Sequence, residues 1–376
     1  MNQQLKNIFK DTSYYMTNHF PFVFCIAVCM GIDLIIAFSF CLISILFIPE
    51  INNKKMMPLI ISFLIIGLNP EYALSSSVIC GFLLIISSFF ADKIKNLLSS
   101  PTLSGVMLAG ALTVTVLFTT DYFGIGATGC SVAEMIKSYI SLGFHPNWRG
   151  VLYGTIVLVI MVTFPRKFKS FDKYVSAPFI ALIFTLILNL FLNPSDMISA
   201  INEISPSEHS EVKEYFISRL GFLFDYNAIL IGFALFITFF YSVSSDENAQ
   251  KKDYITCGLI NIVLSGLCGI PIPHGTEKKI SNPLSKLLAI TILIISYVLF
   301  KDLIIRIPLH SCAVVVIVTA WNNVKWGEIK KQFGGIVPFA FFVVSAITSS
   351  ASNLIFGIVI SFATSALYSR LKLIKR

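Results

Sequence analysis

Charge is scarce in this chain. Asp, Glu, Lys and Arg make up 13% of its 376 residues, about half the share in an average soluble domain. A water-soluble fold needs a polar shell, and this composition cannot supply one. Hydrophobic residues reach 56%. A bilayer core of about 30 Å takes ~20 apolar residues per helix, so the length holds roughly ten to fourteen spans. The strict polar–apolar alternation of an outer-membrane barrel is also missing. The chain is expected to be an all-α, polytopic membrane protein.

Chemical motifs are equally scarce. There is no P-loop, Rossmann glycine pattern, zincin motif or serine nucleophile elbow, which argues against ATP-driven pumping by this chain and against an enzyme. The eight cysteines are scattered singly without disulfide or metal-ligand spacing, and read as small buried hydrophobes. The polar stretch Asp196 to Arg219 holds His209 among Glu203, Glu208, Glu211 and Glu214, with no diagnostic metal spacing. No metal or cofactor is expected. A cleavable leader is not visible, because Met1 to His19 is polar and the apolar run Phe20–Ile48 is too long for a signal sequence.

What charge there is sits in short basic clusters between apolar runs: Lys54 and Lys55, Lys93 and Lys95, Arg166 to Lys173, Lys251 and Lys252, Lys325 to Lys331, and Arg370 to Arg376. The net charge of +8 therefore reads as the positive-inside pattern of an inner-membrane protein. It does not form the continuous basic face with interleaved aromatics that nucleic acid requires. Lys6 and Lys10 before the first run, and the basic tail after the last, place both termini in the cytoplasm. Trp321 and Trp326, beside Lys325, read as interface anchors.

Phe20–Ile48 is expected to form the first span. Two later segments look broken: Met57–Leu68, bracketed by Pro58 and Asn69-Pro70, and the stretch after Gly269, interrupted by Pro271, Pro273 and Gly275. Irregular backbone at membrane depth survives only where protein or water satisfies its polar groups. Interrupted segments in corresponding positions of two halves point to a transporter's central site. The expected organisation is a first repeat over 1–195, a polar connector over 196–219 and a second repeat over 220–376.

Four stretches then carry a resemblance. The sequence IPLHSCAVVVIVTAWN from Ile307 to Asn322 resembles the twelfth span of the sulfate permease (SulP) family, with a basic interfacial segment after it. GLINIVLSGLCGIP from Gly258 to Pro271, SPTLSGVMLAG from Ser100 to Gly110, and Asn69-Pro-Glu-Tyr72 are similar to other segments of that family, in family order. The resemblance implies the seven-plus-seven inverted repeat of uracil permeases, with a core domain moving against a gate domain. It implies a small anion held between the N-termini of the third and tenth spans, where free N–H groups and helix dipoles favour negative charge. His310 is expected to pack within the gate.

The chain departs from the family where ligands are held. Asp33 stands near the position of a family Gln in the first span, and Phe38 near an aromatic residue. The second span has no room between Pro49 and Met56. Met57-Pro58 stands where a Gly-Pro opens the third span, with Ser62 following. Tyr241, followed by Ser242, replaces an acidic residue of the eighth span that is linked to proton coupling. Around Gly275 the tenth span is shortened, with His274, Lys278 and Lys279 reading as loop residues. The expected architecture is a membrane domain alone, without the family's STAS domain.

The expected function is secondary transport of a small inorganic or carboxylate anion of the sulfate, bicarbonate or dicarboxylate class, with a proton or sodium ion as coupling ion. The site residues are expected to be Asp33, Phe38, Pro58, Ser62, Tyr241, Ser242 and Gly275. An ionised Asp33 at membrane depth requires hydration or a partner, and beside an anion it favours proton- or cation-assisted uptake. The resemblance also implies a homodimer in the lipid bilayer. The alternative is a degenerate homologue that no longer transports and serves as a membrane scaffold or subunit.

Overall fold

The computed structural model describes residues 3–31, 34–47, 53–127, 129, 131–172, 174–192, 221–245, 249–268, 283–304, 306–351 and 353–374. Asp33, Gly275 and the connector 196–219 lie outside them. The described secondary structure is entirely helical.

The N-terminal region begins with α1 (Gln3–Tyr14), which continues through a π-helical turn at Tyr15–His19 into α2 (Phe20–Cys29). Gly31, at φ +69°, follows the end of α2, and a new helix, α3 (Leu34–Phe47), begins after it. The left-handed conformation, open to glycine at no steric cost, ends a helix without polar residues. The apolar run Phe20–Ile48 is therefore two helices packed against each other, and the second span is present as α3 where none was expected.

The next helix, α4 (Asn53–Gly67), carries Pro58 inside it. The Met57-Pro58 pair was expected to open this helix, which instead starts more than a turn earlier. As the sixth residue of the helix, Pro58 leaves the Lys54 carbonyl without the N–H that would otherwise meet it. Beyond a single turn at Pro70–Tyr72 come α5 (Ala73–Ser87) and α6 (Ala91–Leu97), bent by 107° at Ser88–Phe90.

Helix α7 (Ser100–Phe123) has Pro101 in its first turn and ends at Gly124, φ +65°. The surface helix α8 (Val132–Leu142) is capped by Ser131, whose Oγ accepts from the Glu134 N–H. Asn147 caps α9 (Trp148–Lys167) in the same way. A short turn, α10 (Lys169–Asp172), leads to α11 (Ala177–Leu192).

The second half holds α12 (Tyr226–Ser244), capped by Asp225, then α13 (Lys251–Cys268), α14 (Pro283–Ile304), α15 (Leu309–Asn322), α16 (Trp326–Gln332), α17 (Ile336–Ala351) and α18 (Leu354–Ile374). Five described helices are long and apolar enough to cross a membrane on their own: α7, α9, α12, α14 and α18. The outward faces of α9, α11, α14 and α17 expose Leu, Ile, Val and Phe side chains such as Phe184, Ile187, Leu287, Ile295, Val298 and Ile347. Lipid covers such faces where water would not.

Helix contacts repeat between the two halves. Helix α5 packs against α12 and α13, as α14 packs against α1 and α3; α17 packs against α7 and α18, as α9 packs against α15 and α11. This is the inverted seven-plus-seven fold. It gathers α1–α5 with α12–α14 into one bundle, and α7, α9, α11, α15, α17 and α18 into another. The bundles meet where α2 crosses α15 and where α12 crosses α18.

Small residues bring helices close. A Cβ on Gly105 would stand 2.6 Å from the Phe342 carbonyl, which lets α7 lie against α17. Large side chains fill the rest: Phe22, Phe24, Phe40, Phe63, Phe239 and Phe240 are all fully buried. With lipid as apolar as the core, such van der Waals packing holds the helices together.

Most of the described basic side chains gather at one end. Lys93 and Lys95 of α6, Lys251 and Lys252, Lys325, Lys330 and Lys331 belong to the end where the Ser99 N–H reaches Ser365 and Gln332 Nε2 donates to Ser100. Arg166 and Lys167 close α9, whose N-terminus stands at the other end, where the Asn147 N–H donates to Phe123.

Candidate functional site

Between α4 and α12 of the first bundle and α7 and α18 of the second lies a cleft. One cavity in it, about 20 Å³, is lined by Ile61, Thr102, Met107, Thr238, Tyr241, Ser361 and Ser365, with apolar neighbours. A second, about 10 Å³, lies between Ser104, Met107, Tyr241, Lys325, Glu328 and Ile329. Tyr241 and Met107 line both.

The surface the larger cavity exposes is apolar, and the hydroxyl-bearing residues line it through their carbon atoms. Thr238 and Tyr241 are three apart on α12, and Ser361 and Ser365 four apart on α18, so each pair shares a face. Thr238 Oγ1 donates to the Ala234 carbonyl, and Ser365 Oγ to the Leu97 carbonyl, which satisfies them while the cleft is closed. A volume of ~20 Å³ holds a water molecule; a hydrated oxyanion requires the two bundles to separate.

At the mouth, Lys325 Nζ stands 3.5 Å from Tyr241 Oη and 5.8 Å from the centre of its ring. It also pairs with Glu328 at 3.9 Å, the only ion pair among the described residues. Lys325 follows the last turn of α15, where the negative end of the helix dipole favours a cation. Trp321 stacks on Trp326 at 5.7 Å beside it.

The residues singled out from sequence fall in different places. Tyr241 is in the cleft. Ser242, next to it, is fully buried, and its hydroxyl has no hydrogen-bond partner among the described residues. Pro58 and Ser62 lie on α4, which contributes Ile61 to the cleft; Ser62 is fully buried and donates to the Leu59 carbonyl of its own helix. Phe38 is elsewhere, stacked on Tyr297 of α14 at 4.3 Å and edge-on to Phe20 at 6.0 Å. Asp33 and Gly275, with His274, Lys278 and Lys279, lie outside the described residues.

Sequence reasoning missed Glu328, Ser104 and the hydroxyls of α7 and α18, and took Lys325 for an interface anchor. The available signal was the spacing Ser361, Ser365 and Ser369 in an otherwise apolar helix, and the Lys325–Glu328 pair three residues apart. At the opposite end, His310 Nδ1 lies 2.5 Å from the Asp121 carbonyl oxygen, and a side chain on Gly150 would collide with its ring. This packs His310 between α7 and α9. Burial pushes the Tyr139 phenol of α8 up, and the nearby Asp121 adds to it.

The model of the sulfate permease family matches residues 67–347. The chain belongs to the sulfate permease family. That family is one of anion transporters, not enzymes, and the chain is a multi-pass membrane protein. Among solved structures it is similar to the transmembrane domain of BicA, a cyanobacterial bicarbonate transporter, at a TM-score of 0.64 and 14% identity, covering 98% of each chain. It is also similar to the murine anion transporter Slc26a9 in its inward-facing state, at a TM-score of 0.63 and 12% identity, covering 100% of this chain and 69% of that one. At these identities the likeness is one of fold. No curated protein sequence shows significant similarity to the chain. All four motif stretches that carry the resemblance lie within the matched region.

Proposed function

We propose that this sulfate permease family member is a secondary transporter of a small inorganic or carboxylate anion, of the sulfate, bicarbonate or dicarboxylate class. The bundle of α1–α5 and α12–α14 is the core, the other bundle the gate, and the core moves against the gate to expose the anion alternately to each side. The repeats run over 1–195 and 220–376, joined by 196–219. The protein sits in the inner membrane as a homodimer with both termini in the cytoplasm, at its basic end.

The observation that carries this reading is Tyr241, the position at which the family's proton-linked acid is replaced. It lines both cavities of the cleft at the boundary between the two bundles. Its phenol offers an anion a neutral donor, and the charge of Lys325 3.5 Å away is offset by Glu328, which leaves the ion free to depart. Ser242, Pro58 and Ser62 complete the proposed site from α12 and α4, and Asp33 and Gly275 are proposed to join them, whereas Phe38 packs on Tyr297 away from the cleft. A proton or sodium ion balances the anion's charge. The fold likeness to a bicarbonate transporter and to an anion transporter supports the substrate class.

A second reading, a non-transporting membrane scaffold, draws on the smallness of the cavities, about 20 and 10 Å³. Uptake of labelled sulfate, bicarbonate and dicarboxylates into proteoliposomes separates the two. Saturable flux that falls in Tyr241→Phe supports transport, and folded protein with no flux for any of these anions supports the scaffold.

A further inference from the structure

We propose that Lys325, Tyr241 and Ser104 form a second oxyanion site at the basic mouth of the cleft, kept closed by Glu328 acting as a built-in competitor for Lys325. This rests on the transport reading above and extends it to a recognition step outside the buried site.

The three groups come from separate elements around one cavity. Ser104 belongs to α7, Tyr241 to α12, and Lys325 and Glu328 to the start of α16. Lys325 supplies the positive charge and N–H donors. Tyr241 and Ser104 supply hydroxyls that rotate to donate to an oxygen. Glu328, at 3.9 Å from Lys325 Nζ, occupies the role an anion would take. The side chains of this pair are about a third exposed, 33% and 41%. Exposed ion pairs are held by only about 0.2–1 kcal/mol, so an incoming oxyanion with two or more acceptor oxygens can displace Glu328.

Placement gives the site its purpose. Tyr241 belongs to the core and the other three residues to the gate side. The cavity there, about 10 Å³, admits an oxyanion only once Glu328 swings out of it; the oxyanion then bridges Lys325 and Tyr241 and ties the two bundles together at the mouth, and its departure frees them. The Lys325–Tyr241 contact at 3.5 Å already links the two bundles there.

Tryptophan fluorescence reads this site directly. The chain has three Trp residues; Trp326 adjoins Lys325 and stacks on Trp321, while Trp148 opens α9 at the other end. The purified full chain carrying Trp148→Phe is titrated with sodium sulfate and with sodium bicarbonate, at ionic strength held constant with sodium chloride. A saturable fluorescence change is expected, lost in Lys325→Gln, retained in Lys325→Arg, and half-saturated at about 1.4- to 5-fold lower anion in Glu328→Gln. The same curve in Lys325→Gln, no saturable change in the parent, or an unmoved half-saturation in Glu328→Gln overturns the site. Should Lys325→Gln fail to fold, the Glu328→Gln shift decides. Flux of the same variants in proteoliposomes separates the two ideas: flux without titration leaves transport and removes the mouth site, while titration without flux does the reverse.

Discussion

Gly81 of α5 and Gly258 of α13 face each other, and a Cβ added to either would stand 2.6 Å from the other's carbonyl oxygen. The two backbones meet with nothing between them. This crossing fixes α13 against α5, and so fixes the core face that α12 presents to the cleft. Real Cβ atoms do not approach carbonyls this closely, so Gly81→Ala and Gly258→Ala must push the helices apart. Overpacking of this kind costs about 1–3 kcal/mol. Both variants are expected to melt several degrees below the parent in detergent. Gly327→Ala, with nothing within 4 Å, is expected to leave the melting temperature unchanged.

Ser242 separates stability from function. Its buried hydroxyl lacks a partner among the described residues, and such a group costs about 1–3 kcal/mol. Ser242→Ala is expected to melt at the same temperature or slightly above, while anion flux falls severalfold. Equal flux in parent and variant would remove Ser242 from the site.

Sidedness follows from the sorting of charge. With the eight native cysteines replaced, a membrane-impermeant maleimide added to intact cells is expected to label Lys137→Cys on α8. Lys330→Cys on α16 should label only after the membrane is opened. Both positions are exposed, and the reverse pattern would invert the proposed orientation.

Much of the fold was legible in the sequence, because apolar runs of span length and the motif segments from Asn69 onward each fix a local structure. The break inside Phe20–Ile48 was not. Gly31 ends α2 by adopting a left-handed conformation, and nothing in the flanking apolar residues marks which glycine will do so. The start of α4 was misplaced for the opposite reason: Pro58 looks like a helix opener, yet it stands in the second turn, where the helix gives up one backbone hydrogen bond to keep it. At the cleft, Tyr241 was found through its motif. Lys325 was assigned to the interface because a lysine beside tryptophans at a span end has that meaning in most contexts. Only the three-dimensional meeting of α12 with the start of α16 gives it another. Phe38, chosen by the same motif reasoning, packs into the α3–α14 contact with Tyr297; an aromatic residue in an apolar helix carries no mark that separates packing from ligand contact.

Tyr241→Phe isolates the phenol oxygen. The ring and its packing against the cleft remain, while the oxygen 3.5 Å from Lys325 Nζ is lost. The variant is expected to fold as the parent does and to carry anion several times more slowly. A Tyr241→Phe protein with parental flux would show that the ring alone is used.

The most direct measurement of the central claim is the time course of labelled sulfate and labelled bicarbonate entering proteoliposomes that contain the purified chain, against empty vesicles and against Tyr241→Phe. Uptake of at least one anion that saturates with concentration and is slowed in the variant is the expected result. Uptake indistinguishable from empty vesicles for every anion of the class, from protein that melts cooperatively, would contradict it.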